Sequence, residues 1–341
     1  MVAGTRRRVN RGGGVGRKRG GTRSVTAVDW LLASDEPAIR GRARRDLLGE
    51  LAVDDLNRTT EGPMVQALLA GQQPDGGFGG HPYRKWTGAH WRLVSLVELE
   101  VPAGEPRAMA AAERVLGWLS APGAPLRYVK GLPLSHGSIE GNGLGACSRL
   151  GLANDPRSQF LAESLVEWQW PDGGWNCDEK ASGRRSSFHE TLSAIWGLHE
   201  YATAAGNRDA AAAARRGAEL LLNHRLFRRH GTGKPIHGSW LKLHYPAYWH
   251  YDILQALHVL TQMGLATDPR ASDALDIVAE RRDPDGRWTP GGYWWRPPGS
   301  GGITPEVVDW GRDGPSPMLT LNALRVLRAA GRLDGQGAQG E

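Results

Sequence analysis

The stretch SLVEWQWPDGGWNCDEKASGRRSSFHETLSAIWGLHEY, residues 164–201, predicts two helices joined by a tight turn and a loop. The first helix ends at Trp170, because Pro171 cannot continue a helix. Asp172-Gly173-Gly174 then supplies residues that tolerate positive φ and favour a turn. This helix–turn–loop–helix unit is the building block that we expect throughout the chain.

The second helix of the unit begins at Phe188, where apolar residues recur with a helical period. Ser186 or Ser187 would cap it, and Glu190, three residues after Ser187, predicts a capping box. Its apolar face is wide, which is typical of a helix that is buried on most sides.

Shortened copies of the turn occur at Gln72–Phe78 and at Arg282–Trp288. Three copies of a P-D-G-x-aromatic turn indicate a repeat protein. Between them the chain predicts twelve helices in which a polar-faced helix alternates with an apolar one. These helices are 25–33, 35–48, 63–69, 89–99, 105–119, 139–152, the helix ending at 170, and 188–198, 210–227, 248–263, 272–282 and 317–330.

Six hairpins with apolar inner helices predict an all-α fold, an (α/α)6 toroid. An open solenoid would expose the inner helices along one side, and they are too apolar for that. We expect one barrel domain over residues 25–331, preceded by a disordered basic tail (1–24) and followed by a flexible C-terminal tail (332–341).

The net charge of +6 comes from the N-terminal tail, because residues 1–24 contain eight Arg or Lys and no acid. The alternative is an arm that contacts RNA or a membrane, but no aromatic residue is interleaved with the charges, so we expect no nucleic-acid partner. No apolar run reaches the roughly 18–20 residues of a membrane helix, although contact with a membrane surface stays open. Two cysteines in 341 residues suit a reducing, cytoplasmic location.

In such a toroid the N-termini of the inner helices open on one rim, and their positive dipole ends suit an anion such as a diphosphate. Polar residues at the helix starts and aromatic residues in the loops would line an aromatic cavity with a polar mouth. The candidate catalytic residues are His189, Glu190, His250, Asp252 and Asp309. The candidate substrate-binding residues are Trp86, His90, Trp91, Glu140, Asn142, Trp240, His244, Trp249, Tyr251, Trp295 and Trp310.

The QxxxGx-aromatic turns at Gln72–Phe78 and Gln169–Trp175, together with the alternating helices, resemble the prenyltransferase and squalene-cyclase repeat superfamily. The chain is most similar to the uncharacterised single-barrel members. The resemblance implies an (α/α)6 barrel whose central cavity holds an isoprenoid. In the cyclases a DxDD aspartate donates the proton; the nearest string here, Val53-Asp54-Asp55, lacks the first aspartate and is predicted to lie between helices.

The prenyltransferase members bind zinc through an Asp-x-Cys pair and a histidine, so the resemblance implies a possible Zn²⁺ site. His250 stands where that histidine is expected, whereas Gly183 and Arg185 occupy the Asp-x-Cys positions. Cys177 and Asp178, several residues upstream, would then complete the metal set with His250.

We therefore expect an enzyme that cyclises or transfers an isoprenoid or another apolar small molecule. Trp and Tyr faces would stabilise a carbocation, and a rim acid would move a proton. A carbohydrate-active (α/α)6 enzyme is an alternative, which needs two facing carboxylates about 5–10 Å apart, such as Asp178, Glu190 or Asp252. A non-catalytic barrel that binds a lipid or a peptide is the third possibility.

Overall fold

The computed structural model describes Met1 and residues 26–123, 126–180 and 185–333. The basic tail predicted for residues 1–24 lies outside the described residues apart from Met1. Of the C-terminal tail predicted for 332–341, only Arg332 and Leu333 are described. Gly183 also lies outside the described residues.

The predicted all-α class is confirmed: the described residues form thirteen α-helices and one short hairpin. The helices are α1 (Ala27–Leu32), α2 (Pro37–Ala43), α3 (Val53–Asn57), α4 (Pro63–Leu69), α5 (Ala89–Glu98), α6 (Pro106–Leu119), α7 (Gly137–Cys147), α8 (Pro156–Glu167), α9 (Phe188–Ala205), α10 (Arg208–Asn223), α11 (Ile253–Gln262), α12 (Ser272–Glu280) and α13 (Pro317–Ala329). π-Helical turns extend α2 over Arg44–Leu48 and α7 over Ser148–Leu152.

Each of the twelve predicted helices has its counterpart, but several features differ from prediction. Helix α8 ends at Glu167 and not at Trp170, because the Trp170 N–H bonds to the Gly174 carbonyl within the turn, and α9 continues past residue 198 to Ala205. The Val53-Asp54-Asp55 string, predicted to lie between helices, begins the five-residue helix α3. Strands β1 (Arg127–Val129) and β2 (Leu132–Leu134) form an antiparallel hairpin that no alternating pattern announced. Helix α11 starts at Ile253 and not at residue 248, because Asp252 caps it and Tyr248 has a positive φ of 52°.

Inner and outer helices alternate as the apolar patterns predict. Helices α5, α7, α9, α11 and α13 are buried along most of their residues, whereas α6, α8, α10 and α12 bury one face. Neighbouring inner helices pack in chain order, α5 on α7, α7 on α9, α9 on α11 and α11 on α13. Helix α13 also packs on α1 and α2, so the C-terminal helix lies beside the N-terminal hairpin.

Small residues bring α7 and α9 into close contact, as the sequence IEGNGLGAC suggests. A Cβ atom on Gly141 would overlap the backbone of Ser193 and Ala194, and one on Gly197 would overlap the backbone of Gly141. The two helix backbones can therefore approach only because neither position carries a side chain.

The glutamine of the repeated turn joins consecutive outer helices. Gln72 Nε2 donates to the carbonyls of Gly76 (3.1 Å) and Arg107 (2.8 Å), and Arg107 lies in the next outer helix, α6. Gln169 Nε2 repeats this arrangement with Gly173 (2.7 Å) and with Ala213 (2.9 Å) in α10. The glutamine thus closes its own turn and ties it to the following hairpin.

The aromatic residue of the turn joins an outer helix to an inner one. Trp175 Nε1 donates to the Leu165 carbonyl at 2.8 Å, and its backbone N–H donates to Thr191 Oγ1 at 3.2 Å. Trp288 makes the equivalent bonds, to the Val278 carbonyl at 2.7 Å and to Thr320 Oγ1 at 3.0 Å. Both indoles are fully buried, so the second and third copies of the turn each centre on one hydrogen-bonded tryptophan, whereas the first copy has Phe78 there.

None of the helices in the described residues is both long enough and apolar enough to cross a membrane.

Candidate functional site

A cavity of about 450 Å³ lies among the six inner helices α2, α5, α7, α9, α11 and α13, each of which contributes to its wall. Apolar side chains line its middle, namely Val94 and Val97 of α5, Leu192 and Trp196 of α9, and Val259 of α11, together with the polar Ser193 and Gln255. Val94 and Val97 are three residues apart and Leu192 and Trp196 are four apart, so each pair lies on one face of its helix. The volume is that of a site for one small molecule.

Stacked rings occupy the end of the cavity that faces the helix N-termini. The His250 ring lies between Trp249, at a centroid distance of 3.8 Å, and Trp294, at 4.0 Å. Beside them the Tyr248 ring stacks on Trp86 at 3.8 Å. The sequence predicts an open rim here, but the loop that precedes α11 fills it with aromatic side chains.

Two predicted site residues hold this loop in place. Asn142 Nδ2 donates to the Tyr248 carbonyl at 3.0 Å, and the Tyr251 N–H donates to His189 Nδ1 at 2.9 Å. Asn142 and His189 also line the cavity. They therefore connect the cavity wall on α7 and α9 to the loop before α11.

A buried Asp–His pair anchors the other side of the loop. Asp252 accepts a hydrogen bond from Gln255 N at 2.9 Å as the cap of α11, and a second from His244 N at 3.1 Å. Its Oδ2 lies 2.6 Å from His244 Nδ1, and both side chains are almost completely buried. Asp252, predicted as catalytic, and His244, predicted as substrate-binding, do not line the cavity, and the contacts that they make here hold the loop in place.

Three imidazoles line the cavity, and the two near the helix N-termini, His189 and His250, are held neutral at neutral pH. Burial lowers the pKa of His250 to about 3, helped by the nearby His244 and His189. Burial also lowers the pKa of His189. A neutral imidazole can accept a proton from a ligand, but it does not supply positive charge to an anion.

Charged side chains gather at the opposite end of the cavity, where the inner helices end. Arg45 and Arg149 are 40% and 30% exposed there, so this end reaches solvent. The polar lining residues at this end are Arg42, Arg45, Glu98, Glu100, Arg149, Glu200, His258, Gln262, Asn322 and Arg325. None of them is among the predicted site residues.

Most of these charges are paired, and a few polar atoms are not. Glu100 lies 2.7 Å from Arg45 and 3.4 Å from Arg42. Arg149 is held only loosely, 3.9 Å from Glu200. Within the described residues Arg325 Nη1, Gln262 Oε1 and Asn322 Oδ1 are buried without a hydrogen-bond partner. Loosely paired and unpartnered groups around a cavity leave bonding capacity for a ligand.

Among the glutamates at this end of the cavity, Glu98 has a pKa that is raised above its ordinary value. Burial raises its pKa, against the lowering effect of the Tyr245 hydroxyl, which donates to Glu98 Oε2 at 2.7 Å, and of Arg42. A carboxyl group in such surroundings keeps its proton at a higher pH than an exposed one. Glu98 is therefore the lining carboxyl whose protonated form is favoured by burial.

Of the five predicted catalytic residues, His189 and His250 line the cavity and the other three do not. Glu190 turns away from it and accepts a hydrogen bond from Ser138 N at 2.7 Å. The predicted capping box is therefore half formed: Ser187 caps α9, but the Glu190 side chain caps α7. Asp309 is exposed and closes a local turn by accepting from Gly311 N at 3.0 Å.

Of the predicted substrate-binding residues, Asn142 and Trp249 line the cavity. Several of the others are core residues with polar groups bonded inside the protein: the Trp91 indole donates to the Tyr83 carbonyl at 2.9 Å, and the Trp295 indole donates to that of Tyr245 at 3.1 Å. The predicted residues outside the lining are Trp86, His90, Trp91, Glu140, Trp240, His244, Tyr251, Trp295 and Trp310. The aromatic residues of these loops pack against each other and do not line an open entrance to the cavity.

The carboxylates expected for a sugar-cleaving site also lie elsewhere. Asp178, Glu190 and Asp252 are absent from the cavity lining. The carboxylates that do reach the cavity are Glu98, Glu100 and Glu200, and they lie among arginines.

The predicted metal set does not come together. Within the described residues, His136, Cys177 and Glu190 form a group of potential metal ligands. Their ligand atoms all lie within 4.8 Å of one another. Cys177 belongs to this group, whereas Asp178 and His250 do not. The His250 ring is stacked between Trp249 and Trp294 instead. The zinc ligands implied by the resemblance therefore do not fit this site as predicted.

A simple sequence signal could have identified the charged end. Glu98, Arg149, His258 and Arg325 are each a charged or titratable residue near the end of an otherwise apolar inner helix. Such a residue is costly to bury, so it indicates either a partner or a cavity. His136 had no such signal, because its partners are about 40 and 54 residues away in the sequence.

No family model matches the chain, and a search of the curated proteins also finds no match. A crystal structure of a protein from Actinoplanes is similar at 18% sequence identity and a TM-score of 0.40, covering 90% of this chain and 88% of that one. A match at this level carries no inference about fold or activity.

Proposed function

We propose that the protein binds an elongated apolar molecule with an anionic end, of the isoprenoid class, in its central cavity and acts on it as an enzyme. The observation that carries the proposal is the cavity itself: apolar side chains line its middle, one end is packed with aromatic rings, and the other end holds arginines and reaches solvent. A ligand of this class would match the apolar and the charged parts together.

The proposed architecture around the cavity is a closed ring of six hairpins, the (α/α)6 toroid. The packing of α13 on α1 and α2 supports it. So does the third turn, where the Arg287 guanidinium lies over the Trp30 ring of α1 at 4.7 Å. The resemblance to the prenyltransferase and squalene-cyclase superfamily belongs to the same proposal, because that superfamily uses this ring to enclose isoprenoid chains.

In the proposed orientation the apolar chain lies against Val94, Leu192 and Val259, and the anionic group lies at the charged end. Four arginines and three glutamates line that end. Asp46 also pairs with Arg45 at 2.6 Å and with Arg325 at 2.7 Å, so an anionic ligand would be bound by arginines whose present pairing is weak. Arginine binds carboxylate and phosphate oxygens through paired hydrogen bonds, and Arg149 is the least committed of the four.

The proposed chemistry is a proton-initiated rearrangement. The Glu98 carboxyl would donate its proton to a carbon–carbon double bond, and the resulting carbocation would be stabilised by the Trp196 and Trp249 rings, both of which line the cavity. Loss of a proton from the rearranged cation to neutral His189 would complete the reaction. We further propose a cytoplasmic location, since Cys147 and Cys177 are both free.

The test is to fill the cavity and measure ligand binding. Ser193 lies in the wall on α9, and Ser193→Trp would occupy the apolar middle. We expect this variant to lose the quenching of tryptophan fluorescence by farnesyl and geranylgeranyl diphosphate. Ala204→Trp is the matched control, because Ala204 is exposed on the same helix.

Native mass spectrometry of the purified protein provides the second readout. An isoprenoid that co-purifies with the wild type and with Ala204→Trp, but not with Ser193→Trp, would support the proposal. Equal binding to both variants would place the ligand elsewhere and contradict it. Circular dichroism checks that both variants are folded.

A further inference from the structure

Three potential metal ligands meet outside the cavity, at the N-terminal ends of α7 and α9. His136 precedes α7 directly, Cys177 lies in the loop before α9, and Glu190 is in the first turn of α9. Their ligand atoms all lie within 4.8 Å of one another, and Cys177 Sγ is 3.1 Å from Glu190 Oε1. None of the three lines the cavity.

We propose that His136, Cys177 and Glu190 bind one divalent transition-metal ion, with zinc as the best match, and leave its fourth position open. Imidazole nitrogen, thiolate sulfur and carboxylate oxygen are the three ligand types that zinc takes in proteins. Three protein ligands with one free position are typical of zinc sites that bind water or a substrate. The proposal does not depend on which molecule occupies the cavity.

The carboxylate is already oriented for this role. Glu190 Oε2 accepts a hydrogen bond from Ser138 N at 2.7 Å, which leaves Oε1 directed at Cys177 Sγ. A hydrogen bond to the second oxygen of a ligating carboxylate is a common outer-shell contact in metal sites. The Ser138 contact therefore fixes the ligand without competing for Oε1.

Asn176 holds the cysteine and the histidine segments together. The Ser135 N–H donates to the Asn176 carbonyl at 3.0 Å, so the residues just before Cys177 and His136 are bonded to each other. Asn176 Nδ2 donates to the Arg185 carbonyl at 2.7 Å, and its Oδ1 accepts from Asp178 N at 2.8 Å. The loop that carries Cys177 is thus bonded on both sides of that residue.

The charge balance also suits a cation. The N-termini of α7 and α9 carry partial positive charge, which opposes a metal ion. A thiolate at Cys177 and a carboxylate at Glu190 supply two negative charges against it.

A metal ion could enter from solvent. His136 is exposed, Cys177 is half-buried and Glu190 is buried, so the ligands lead from the surface inward. On binding, the Cys177 S–H bond breaks, a metal–sulfur bond forms, and the proton leaves to solvent. Metal binding should therefore release one proton per ion and become stronger as the pH rises.

The experiment titrates the chelator-treated full-length protein with Co²⁺ and with Zn²⁺. We expect one ion per chain by elemental analysis and a thiolate-to-cobalt charge-transfer band in the near ultraviolet. Loss of an outer-shell partner already costs about 10–100-fold in metal affinity, so Cys177→Ser, His136→Asn and Glu190→Gln should each cost about 100-fold or more. Cys177→Ser should also abolish the charge-transfer band.

Matched controls are available for each ligand type. Cys147→Ser, His81→Asn and Asp178→Asn replace a thiol, an exposed imidazole and a neighbouring carboxylate outside the group, and we expect none of them to change the stoichiometry. Binding without a charge-transfer band would point to a surface histidine pair such as His224 and His230, whose rings are 4.0 Å apart, and would overturn the proposal.

Alkylation of the wild type keeps the proposal testable if Cys177→Ser does not fold. Zinc should slow the reaction of Cys177 with iodoacetamide, measured by mass spectrometry of the modified peptide. Buried Cys147 is the internal reference. An unchanged Cys177 rate at saturating zinc, or loss of metal on Asp178→Asn and not on His136→Asn, would contradict the assigned ligands.

Discussion

Gly286 in the third P-D-G turn packs against Ala27 in the first helix, and a Cβ atom placed on Gly286 would lie 3.4 Å from the Ala27 Cβ. The first turn has the same backbone conformation, with φ of +79° at Gly76 and +80° at Gly286. Its neighbour is closer, however: a Cβ on Gly76 would overlap the Ala110 carbonyl oxygen of α6. Gly76 and Gly286 therefore have the same backbone conformation but leave different amounts of space for a side chain, which makes them a matched pair for substitution.

We predict that Gly76→Ala destabilises the protein more than Gly286→Ala. Both variants place an alanine at positive φ, which costs roughly 1–2 kcal/mol. Only Gly76→Ala also pushes α4 and α6 apart, so its cost should exceed that of Gly286→Ala by about 1–3 kcal/mol, the range for overpacking. Urea denaturation at equal protein concentration measures both. Equal losses would mean that the first turn does not pack on α6 as described.

His90 predicts an acid-sensitive step in stability. Its ring is completely buried, both ring nitrogens have no partner in the described residues, and burial lowers its pKa to about 3. Between pH 6.5 and about 3 the unfolded chain binds a proton at His90 and the folded chain does not. The stability contributed by the neutral ring is therefore complete above pH 6.5 and is lost as the pH falls, at about 1.4 kcal/mol per pH unit.

The variant His90→Leu should lack this dependence. We would measure the unfolding free energy of His90→Leu and of the wild type from pH 7 to pH 4 and take the difference. The contributions of the other titrating groups cancel in this difference. We expect that difference to shift in favour of the variant as the pH falls. A pH-independent difference would mean that His90 is protonated in the folded protein.

Glu98→Gln tests the proposed general acid. The amide keeps the size of the side chain and an acceptor for Tyr245, but it cannot donate a proton to a ligand. We expect turnover of an isoprenoid substrate to fall about 10²–10⁴-fold while ligand binding persists. Glu100→Gln is the control, because Glu100 lies at the same end but is paired with Arg45.

The raised pKa of Glu98 also predicts a change in stability with a definite sign. The folded state favours the protonated carboxyl, so its contribution is complete below the ordinary value near 4.5 and is lost as the pH rises through the folded-state pKa. Glu98→Gln should therefore gain stability relative to the wild type as the pH rises above 4.5. A relative loss with rising pH would show that Glu98 is ionised and stabilised by Arg42.

Arg149→Ala tests the orientation of the proposed ligand. Its pairing with Glu200 at 3.9 Å is long and partly exposed, so the loss in stability should stay below about 1 kcal/mol. We expect affinity for a prenyl diphosphate to fall about 10–100-fold, the effect of losing one charged hydrogen bond, and affinity for the prenyl alcohol to be unchanged. Arg157→Ala is the control, because Arg157 pairs with Glu113 outside the cavity. Equal losses for diphosphate and alcohol would contradict the orientation.

Local patterns were sufficient to predict twelve of the thirteen helices in the described residues, and their order. The periodic apolar residues, the proline and glycine stops, and the three copies of the turn depend on neighbours within a few residues. Ser187 therefore caps α9 as predicted. The small residues of α7 also indicated a close packing partner, which is α9.

The candidate site depended on contacts that no local pattern contains. Trp86 stacks on Tyr248, 162 positions later in the chain, and Glu98 accepts from Tyr245 after a separation of 147 residues. Glu190 is predicted to be a rim acid, but its carboxylate caps α7 by accepting from the Ser138 N–H, 52 residues earlier in the chain. The amino-acid sequence alone determined an all-α repeat with alternating buried and exposed helices, because helical period and turn chemistry act over short distances. Only the tertiary structure decided which rings fill one end of the cavity, which arginines surround the other, and that His136 meets Cys177 and Glu190, because these contacts arise when distant segments pack together.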